Sequence, residues 1–363
     1  MINKRNILIW LNNLGGISYE MILDMEAYFG SILEIWGAEA KHLYRILGGK
    51  SIIVDKMLNA RKEHYLEELL LEIKGKDFNL ITILDKDYPE KLKNIYNPPY
   101  VLFIKGNLKL DKPLIGMVGA RKSTSYGRWA ARKFARELVD WGIGIVSGLA
   151  LGIDAESHKS AIDEGGYTIG VLGCGIDLVY PKSNYQLYKE LELKGCIISE
   201  YGMGVPPLKH NFPARNRIIS GLSDGVVVIE AGERSGTLIT VGHALEQGKD
   251  VFALPGNINN YQSKGTNKLI KEGAKILLSI EDITEELEYK YNLHNKTKKL
   301  ELLDALGDDE LKIYNIIKRE PIHIDVLSYK SELDISQLST ILTILEIKGY
   351  VQQNQGKIFT VCN

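Results

Sequence analysis

A short loop and two nearby arginines are the residues of this sequence best suited to hold an anion. The loop Ala231–Thr237, AGERSGT, lies between a predicted strand and a predicted helix, and Arg215 and Arg217 precede that strand. Backbone amides at the N-terminus of a helix favour negative charge. The combination predicts a site for a phosphate-bearing ligand. In the alternative interpretation, Gly232 and Gly236 only form a tight turn and the arginines are solvated.

The strand before this loop belongs to a series of apolar runs, each followed by a loop and a helical pattern. Val226–Ile229 is an unbroken β-branched run, which is typical of a strand buried on both faces of a parallel sheet. The alternation predicts a mostly parallel sheet with helices on both faces and binding at the carboxyl ends of its strands. The other predicted strands are Leu114–Val118, Ile143–Val146, Tyr167–Leu172, Cys196–Ser199, Val251–Leu254 and Ile276–Leu278.

Charge is unevenly distributed along the chain. The net charge of −1 argues against coating nucleic acid by bulk charge. Residues 119–136 nevertheless carry six bases and no acid, and on the predicted helix Ser125–Asp140 the residues Arg128, Arg132 and Arg136 share a face that can meet anions. Lys209 lies in a second stretch without acids, whereas residues 300–363 have ten acids against six bases. A basic middle and an acidic tail imply different partners.

Length and composition are those of an ordinary soluble globular protein of two or three domains. The chain has 363 residues, of which 45% are hydrophobic and 25% charged. Cys174, Cys196 and Cys362 have no paired spacing, so neither a disulfide framework nor a zinc site is expected. No apolar run is long enough to act as a signal peptide or to span a bilayer. A cytoplasmic protein without membrane contact is the resulting expectation.

Two smaller domains are predicted on either side of the sheet. Residues 1–76 read as short helices, and Leu11–Ile17 resembles a helix-hairpin-helix turn, although a packing role is favoured there over phosphate contact. Residues 77–290 form the main domain and 291–300 a polar linker. Residues 301–363 then show three helices and a hairpin, the pattern of a winged helix. Its candidate recognition helix from Ser336 has no base before Lys348, which favours protein contact or packing over DNA reading.

Several common chemistries lack their motifs. Gly119-Ala120-Arg121 does not complete the dinucleotide-binding glycine pattern, and no phosphate-binding P-loop occurs. Asp154 and His158 are four residues apart on a predicted helix but have no evident third metal ligand, so a structural pair is favoured. No serine or cysteine nucleophile has an evident partner. We therefore expect no catalytic residue, metal or cofactor.

The ordered motifs of the main domain resemble those of the DNA-processing protein A (DprA, also called Smf) family of bacterial natural transformation. Together they cover most of residues 114–278, and eight motifs in family order are highly specific. The matching segments are MVGAR (117–121), SGLALGID (147–154), DLVYP (177–181), SEYGMG (199–204), FPARNRIISGLS (212–223), ERSGTLIT (233–240), ALPG (253–256) and GTNKLIKEGA (265–274).

This resemblance implies a Rossmann-like protein that binds single-stranded DNA without catalysis. It also implies a homodimer, formed through this domain, that helps to load the RecA recombinase onto incoming strands. The DNA-binding candidates are Arg121, Lys182, Lys209, Phe212, Arg215 and Arg217, together with Ser235, Gly236 and Thr237 of the anion-binding loop. The candidate dimer residues are Leu269, Ile270 and Ile276.

Two alternatives remain open at this point. A phosphoribohydrolase acting on nucleoside monophosphates would also use a Rossmann-like sheet with a glycine-rich phosphate loop. The usual loop of that class runs P-G-G-x-G-T-x-x-E, and residues 231–240 lack its paired glycines and its final glutamate. For Phe212, we expect stacking on a base, and the alternative is a core position before Pro213.

Overall fold

The computed structural model describes residues 2–291, 293, 307–318, 320–348, 350–354 and 356–361. The chain forms two compact units, Met1–Leu293 and His294–Asn363. The helical head and the sheet fall in the same unit, so the predicted boundary between residues 76 and 77 stays a prediction. Most of the predicted linker, 291–300, lies outside the described residues.

The head is a set of short helices that packs against one end of the sheet. Asn3, Ser18 and Ser31 each accept a backbone N–H at a helix start, which satisfies donors that the helix itself cannot. Trp10 is fully buried and joins a core that continues into the sheet. This shared core explains why head and sheet form one unit. The helices are α1 (Lys4–Leu14), α2 (Tyr19–Phe29), α3 (Ile32–Gly37), α4 (Ala40–Leu47), α5 (Ser51–Ala60) and α6 (Glu63–Lys74).

Nine strands of the described residues form one sheet in the order β1-β2-β6-β5-β4-β3-β7-β8-β9. The strands from β3 to β9 run parallel, and β2 runs antiparallel to both of its neighbours, β6 and the edge strand β1. The prediction of a mostly parallel sheet is confirmed. The bounds are β1 (Asn79–Thr82), β2 (Val101–Gly106), β3 (Leu114–Val118), β4 (Gly144–Ser147), β5 (Thr168–Leu172), β6 (Cys196–Ser199), β7 (Gly225–Val228), β8 (Asp250–Ala253) and β9 (Lys275–Ile276).

Helices cover both faces of this sheet, as predicted. Along β3, Leu114 and Val118 enter one hydrophobic cluster while Ile115 and Met117 enter the other, because successive side chains of a strand point to opposite faces. A short 3-10 turn, Lys182–Asn184, precedes α10. The helices are α7 (Glu90–Lys93), α8 (Ser125–Asp140), α9 (Ile153–Asp163), α10 (Tyr185–Lys194), α11 (Asn211–Leu222), α12 (Thr237–Glu246), α13 (Tyr261–Lys271) and α14 (Glu281–Glu288).

The order of the strands creates a crevice. From β3 the chain adds β4, β5 and β6 on one side, and it then returns to add β7, β8 and β9 on the other. The loops that leave the carboxyl ends of β3 and β7 therefore diverge. In open α/β sheets such a switch point is where ligands bind.

The second unit is a winged helix, as predicted. In its described parts, helices α15 (Asp308–Ile317), α16 (Ile324–Ser331) and α17 (Ile335–Ile347) pack around one hydrophobic cluster. A small sheet in the order β10-β12-β11 completes the unit, with bounds β10 (Ile322–His323), β11 (Val351–Asn354) and β12 (Ile358–Val361). Nowhere in the described residues does a helix combine the length and apolarity needed to cross a membrane.

Candidate functional site

A cleft of about 780 Å³ lies at the carboxyl ends of the central strands. Its walls are the loops after β3, β4 and β7 and the first turns of α11, α12 and α13. Most of the predicted site residues line it. These are Arg121, Lys209, Phe212, Arg215, Ser235, Gly236 and Thr237.

The loop after β3 presents Arg121 to the cleft. A Cβ on Gly119 would meet the Ile153 side chain at 2.6 Å, so this glycine allows α9 to approach the strand end. Arg121 is exposed, and its guanidinium carbon lies 5.3 Å from the centroid of the Phe212 ring. This cation–π contact holds a positive charge over the aromatic ring at the cleft surface.

The floor of the cleft contains a buried arginine. Arg215 is 3% exposed, and its Nη1 donates a hydrogen bond to the Gly148 carbonyl oxygen at 2.9 Å. Asp154 accepts from the Gly148 N–H at 3.2 Å, and its charge offsets that of Arg215. Burial lowers the pKa of Arg215 to about 10, with Asp154 opposing the shift. The guanidinium therefore stays charged at neutral pH beneath the cleft.

Asp154 and His158 have different hydrogen-bond partners. Burial raises the pKa of Asp154 while the guanidinium of Arg215 lowers it. His158 is fully buried, its Nδ1 lies 2.6 Å from Thr168 Oγ1, and burial lowers its pKa to about 3. The two side chains thus serve separate internal contacts. Among the described residues, no group of three or more His, Cys, Asp or Glu side chains could hold a metal ion.

Phe212 lies between the core and the cleft. Its ring centroid is 5.5 Å from that of Tyr180, and a Cβ on Gly173 would meet its Cδ1 at 2.8 Å. Phe212 is half-buried, and its ring lines the cleft beside Arg121. The ring thus has packing contacts and also borders the cleft, so base stacking by Phe212 stays a prediction.

The loop after β7 forms several internal hydrogen bonds. Ser235 Oγ accepts the Thr237 N–H at 3.2 Å, and the Ser235 hydroxyl donates to Thr237 Oγ1 at 2.9 Å. The N–H groups of Leu238 and Ile239 donate to carbonyls of the same loop. Several amides that we expected to face a ligand are thus engaged internally. The exposed residues of the loop are Glu233, Arg234 and Gly236, whereas Ser235 is half-buried and Thr237 is buried.

The two loop glycines have different surroundings. A Cβ on Gly232 would meet the ring of Tyr261 at 2.5 Å, so Gly232 allows α13 to pack against the loop. Nothing lies within 4 Å of a Cβ built on Gly236, and the φ of Gly236 is −59°. Packing therefore explains why position 232 is a glycine, and it does not explain the glycine at position 236.

Two predicted residues lie away from the cleft. Lys182 is exposed on the 3-10 turn and is not among the residues that line the cleft. Arg217 is 8% exposed; its guanidinium donates to both carboxylate oxygens of Glu200, at 2.7 and 2.6 Å, and to the Asn97 carbonyl at 2.9 Å. These bonds hold Arg217 inside the protein. Its partners come from distant segments, and sequence spacing does not show them.

The predicted basic face of α8 is largely neutralised by α9. Arg132 Nη1 lies 3.0 Å from Glu156 Oε2, and Arg136 Nε lies 3.0 Å from Glu164 Oε1. Packing against α9 thus gives these two arginines acidic partners that are absent from residues 119–136, and contact of this face with anions stays a prediction. Arg128, the third arginine of this face, bonds to a backbone oxygen: its Nη1 donates to the Ser123 carbonyl at 2.7 Å.

Sequence reasoning missed other residues that line the cleft. Lys122 and Arg234 are exposed and lie next to predicted residues in the loops after β3 and β7. Their positions in these loops could have predicted that they line the cleft. Tyr180, Tyr261 and Gln262 also line the cleft. Tyr261 and Gln262 lie in the first turn of α13. The Gln262 carbonyl accepts the Ala231 N–H at 2.8 Å, and this hydrogen bond joins α13 to the loop after β7. No local pattern predicts that contact.

The chain matches models of a known family over both units. The model described as DNA recombination-mediator protein A matches residues 79–288, and that of the DprA winged helix domain matches residues 298–357. A DNA processing protein DprA from Streptococcus pneumoniae is 40% identical over 75% of this chain and 92% of its own. A protein Smf from Synechocystis is 33% identical over 96% of each chain.

Solved structures agree with this assignment. The X-ray structure of DNA processing protein A from Streptococcus pneumoniae superposes with a TM-score of 0.68 at 37% identity, over 80% of this chain and 99% of that one. A structure that describes the single-stranded DNA binding mode of the Helicobacter pylori protein has a TM-score of 0.54 at 33% identity, over 59% and 98% of the two chains. The chain belongs to the DprA/Smf family of DNA recombination-mediator proteins.

Proposed function

We propose that this protein binds single-stranded DNA in the cleft and acts as a recombination mediator without catalysing a chemical step. The observation that carries the proposal is the convergence of Arg121, Lys209 and Phe212 at the switch point of the sheet. The described binding mode of the Helicobacter pylori relative supports the same class of ligand.

The chemistry of the cleft fits a single strand. Arg121 and Lys209 are exposed cations that can contact phosphates, and Arg215 adds a buried positive charge below them. Phe212 and Tyr180 offer aromatic surface to a base. Stacking on an aromatic ring is open only to an unpaired base, because the faces of paired bases are covered in a duplex. Phosphate contacts therefore supply affinity, and the aromatic surface supplies the preference for single strands.

In the cell, the proposed role is to load the RecA recombinase onto incoming strands during natural transformation, in the cytoplasm. A test is the rate at which RecA forms filaments on single strands already coated with a single-strand-binding protein. We expect this protein to accelerate filament formation, and Arg121→Ala to abolish the acceleration. Filament formation that is equally fast without the protein would contradict the loading role.

We also propose a homodimer that forms at the β9 edge of the sheet. Of the three predicted residues, Leu269 is buried in the core, Ile270 is partly buried against it, and Ile276 is 47% exposed on β9. Leu278, which follows β9, is exposed as well. An open edge strand with apolar side chains favours pairing with another copy. We expect sedimentation to show a dimer that Ile276→Glu converts to monomer; a wild-type monomer at micromolar concentration would contradict the proposal.

Binding itself is tested by titrating single-stranded and duplex DNA of equal length across a salt series. We expect tighter binding of the single strand and an affinity that falls as salt rises, because phosphate contacts release counterions. Equal affinity for both forms would contradict the aromatic part of the site. Release of free base from nucleoside monophosphates would contradict the absence of catalysis and favour the phosphoribohydrolase.

A further inference from the structure

Helix α8 exposes a pair of stacked aromatic side chains outside the cleft. Tyr126 is 45% exposed and Trp129 is 54% exposed. Their ring centroids are 5.9 Å apart, and their planes are inclined by 23°. The neighbours Ala130, Ala131 and Phe134 turn into the core, so packing of the helix does not require the aromatic pair. A large aromatic pair left in solvent marks a binding surface.

The aromatic pair follows the loop that lines one side of the cleft. Lys122, which lines the cleft, lies in the loop that leads into α8, and its carbonyl accepts a hydrogen bond from Gln262 Nε2 at 2.9 Å. The Tyr126 hydroxyl donates to the Pro255 carbonyl at 3.3 Å, which fixes the ring against the loop after β8. Since a helix rises about 1.5 Å per residue, Trp129 lies roughly 6 Å along α8 from its first residue. That distance is about two stacked nucleotides.

Positive charge surrounds the pair. Lys133 Nζ lies 5.9 Å from the centroid of the Trp129 ring. Arg128 is on the same turn and bonds to the Ser123 carbonyl, so its charge stays at the start of the helix. Lys122 adds a third cation on the side of the cleft. Arg132, Lys133 and Arg136 each lie within 4 Å of a carboxylate, of Glu156, Glu137 and Glu164 respectively. Arg128 and Lys122 are therefore the cations near the aromatic rings that we expect to contact phosphates.

We propose that Tyr126 and Trp129 form a second subsite for the same single strand, which leaves the cleft past Lys122. One base stacks on the aromatic pair, and Arg128 and Lys122 hold the adjacent phosphates. Aromatic rings beside cations are the combination by which proteins bind single strands without reading sequence. This inference rests on the proposed binding of single-stranded DNA in the cleft and extends that site by about two nucleotides.

Trp129 is a natural reporter for this subsite. Trp10 is buried and Trp36 and Trp141 are partly buried, so Trp129 is the tryptophan best exposed to a ligand. The experiment measures tryptophan fluorescence and affinity with oligothymidylates of about 4 and about 16 nucleotides, the span of site sizes seen for single-strand-binding domains. We expect the longer strand to quench the fluorescence and the shorter strand, held in the cleft, to leave it nearly unchanged.

Two variants of Trp129 separate stacking from folding. We expect Trp129→Ala to weaken binding of the long strand about tenfold and to leave binding of the short strand unchanged. Trp129→Phe keeps a stacking ring, so it should restore the affinity while losing the quench. Tyr289→Ala removes an exposed aromatic residue that directly follows α14 and serves as the matched control, with wild-type affinity for both strands.

The outcomes distinguish the subsite from the cleft. If neither strand binds, or if Arg121→Ala has no effect on either, the proposed function fails. If Arg121→Ala weakens both strands while Trp129→Ala weakens neither, the cleft stands and the subsite is overturned. Loss of self-association in Trp129→Ala with unchanged DNA affinity would assign the aromatic pair to a second copy of the chain and would also overturn the subsite.

Discussion

Two arginines that are two residues apart on α11 have different partners, because residues i and i+2 of a helix point in nearly opposite directions. Arg215 lies under the cleft, whereas Arg217 is held by Glu200 and Asn97 inside the protein. Residue type and spacing predicted one role for both. The difference arises because Glu200 and the Asn97 carbonyl come from distant parts of the chain, and only the folded structure brings them to Arg217.

We expect Arg121→Ala and Arg217→Ala to fail in different ways. Arg121 is exposed at the cleft, so its loss should weaken every DNA sequence and lower the salt slope by roughly 0.7 to 0.9 while leaving stability unchanged. Loss of Arg217 leaves the Glu200 carboxylate, whose side chain is 14% exposed, without this ion pair, and should lower the free energy of unfolding by about 3 kcal/mol. Urea unfolding and a salt titration measure the two effects. Wild-type stability with weak binding in Arg217→Ala would place that residue at the DNA.

The two glycines of the β7 loop offer a second contrast. Gly236→Ala meets open space, so we expect unchanged or slightly higher stability and a lower affinity for single strands if a phosphate approaches this backbone. Gly232→Ala forces a methyl group against Tyr261, so we expect a loss of about 1 to 3 kcal/mol. Thermal unfolding and DNA titration of both variants check this. Normal binding by Gly236→Ala would remove that glycine from the site.

At the scale of the elements, α9 carries a buried histidine that makes stability depend on pH. The pKa of His158 is about 3 in the folded protein, compared with 6.5 for an ordinary histidine. Between these values the unfolded chain binds the proton, so stability falls as pH decreases through that window. His158→Phe removes the titration. Between about pH 6 and pH 4, we expect the free energy of unfolding to fall more for the wild type than for His158→Phe, by on the order of 2 kcal/mol.

Urea unfolding of both proteins at several pH values measures this difference, and the other titrating groups cancel in the comparison. Parallel curves for wild type and variant would show that His158 is protonated in the fold, contrary to this account.

Much of the architecture could be predicted, because its elements depend on local patterns. The bounds of α8, Ser125–Asp140, agree with the prediction, since apolar positions that recur every three or four residues mark a helix with one buried face. The ion pairs of Arg132 and Arg136 could not be predicted in the same way, because Glu156 lies on α9 and Glu164 directly follows that helix. The contact of Tyr261 with the cleft also depends on how α13 docks, which neither composition nor spacing reveals.

At the scale of the whole molecule, the winged helix carries no evident DNA-reading surface in its described parts. Helix α17 has no lysine or arginine, and Lys348, which follows it, lies 2.8 Å from Glu310. Residues 300–363 carry ten acids and six bases. Deletion of residues 301–363 should therefore leave affinity for single-stranded DNA largely unchanged. A large loss of affinity, with circular dichroism showing that the remaining chain is folded, would contradict this prediction.

The central claim is that the cleft binds unpaired bases, and Phe212 tests it most directly. Because the ring also packs on Gly173 and Tyr180, Phe212→Ala alone would mix binding with stability. Phe212→Leu keeps apolar volume and removes the aromatic face. The measurement is its affinity for a single strand and for a duplex of equal length across salt concentrations, together with its melting temperature.

We predict that Phe212→Leu loses about 1 to 3 kcal/mol of single-strand binding, keeps the duplex affinity and the salt slope, and melts close to the wild type. Single-strand affinity equal to that of the wild type, with a lowered melting temperature, would show that the ring serves only the core and would contradict the account.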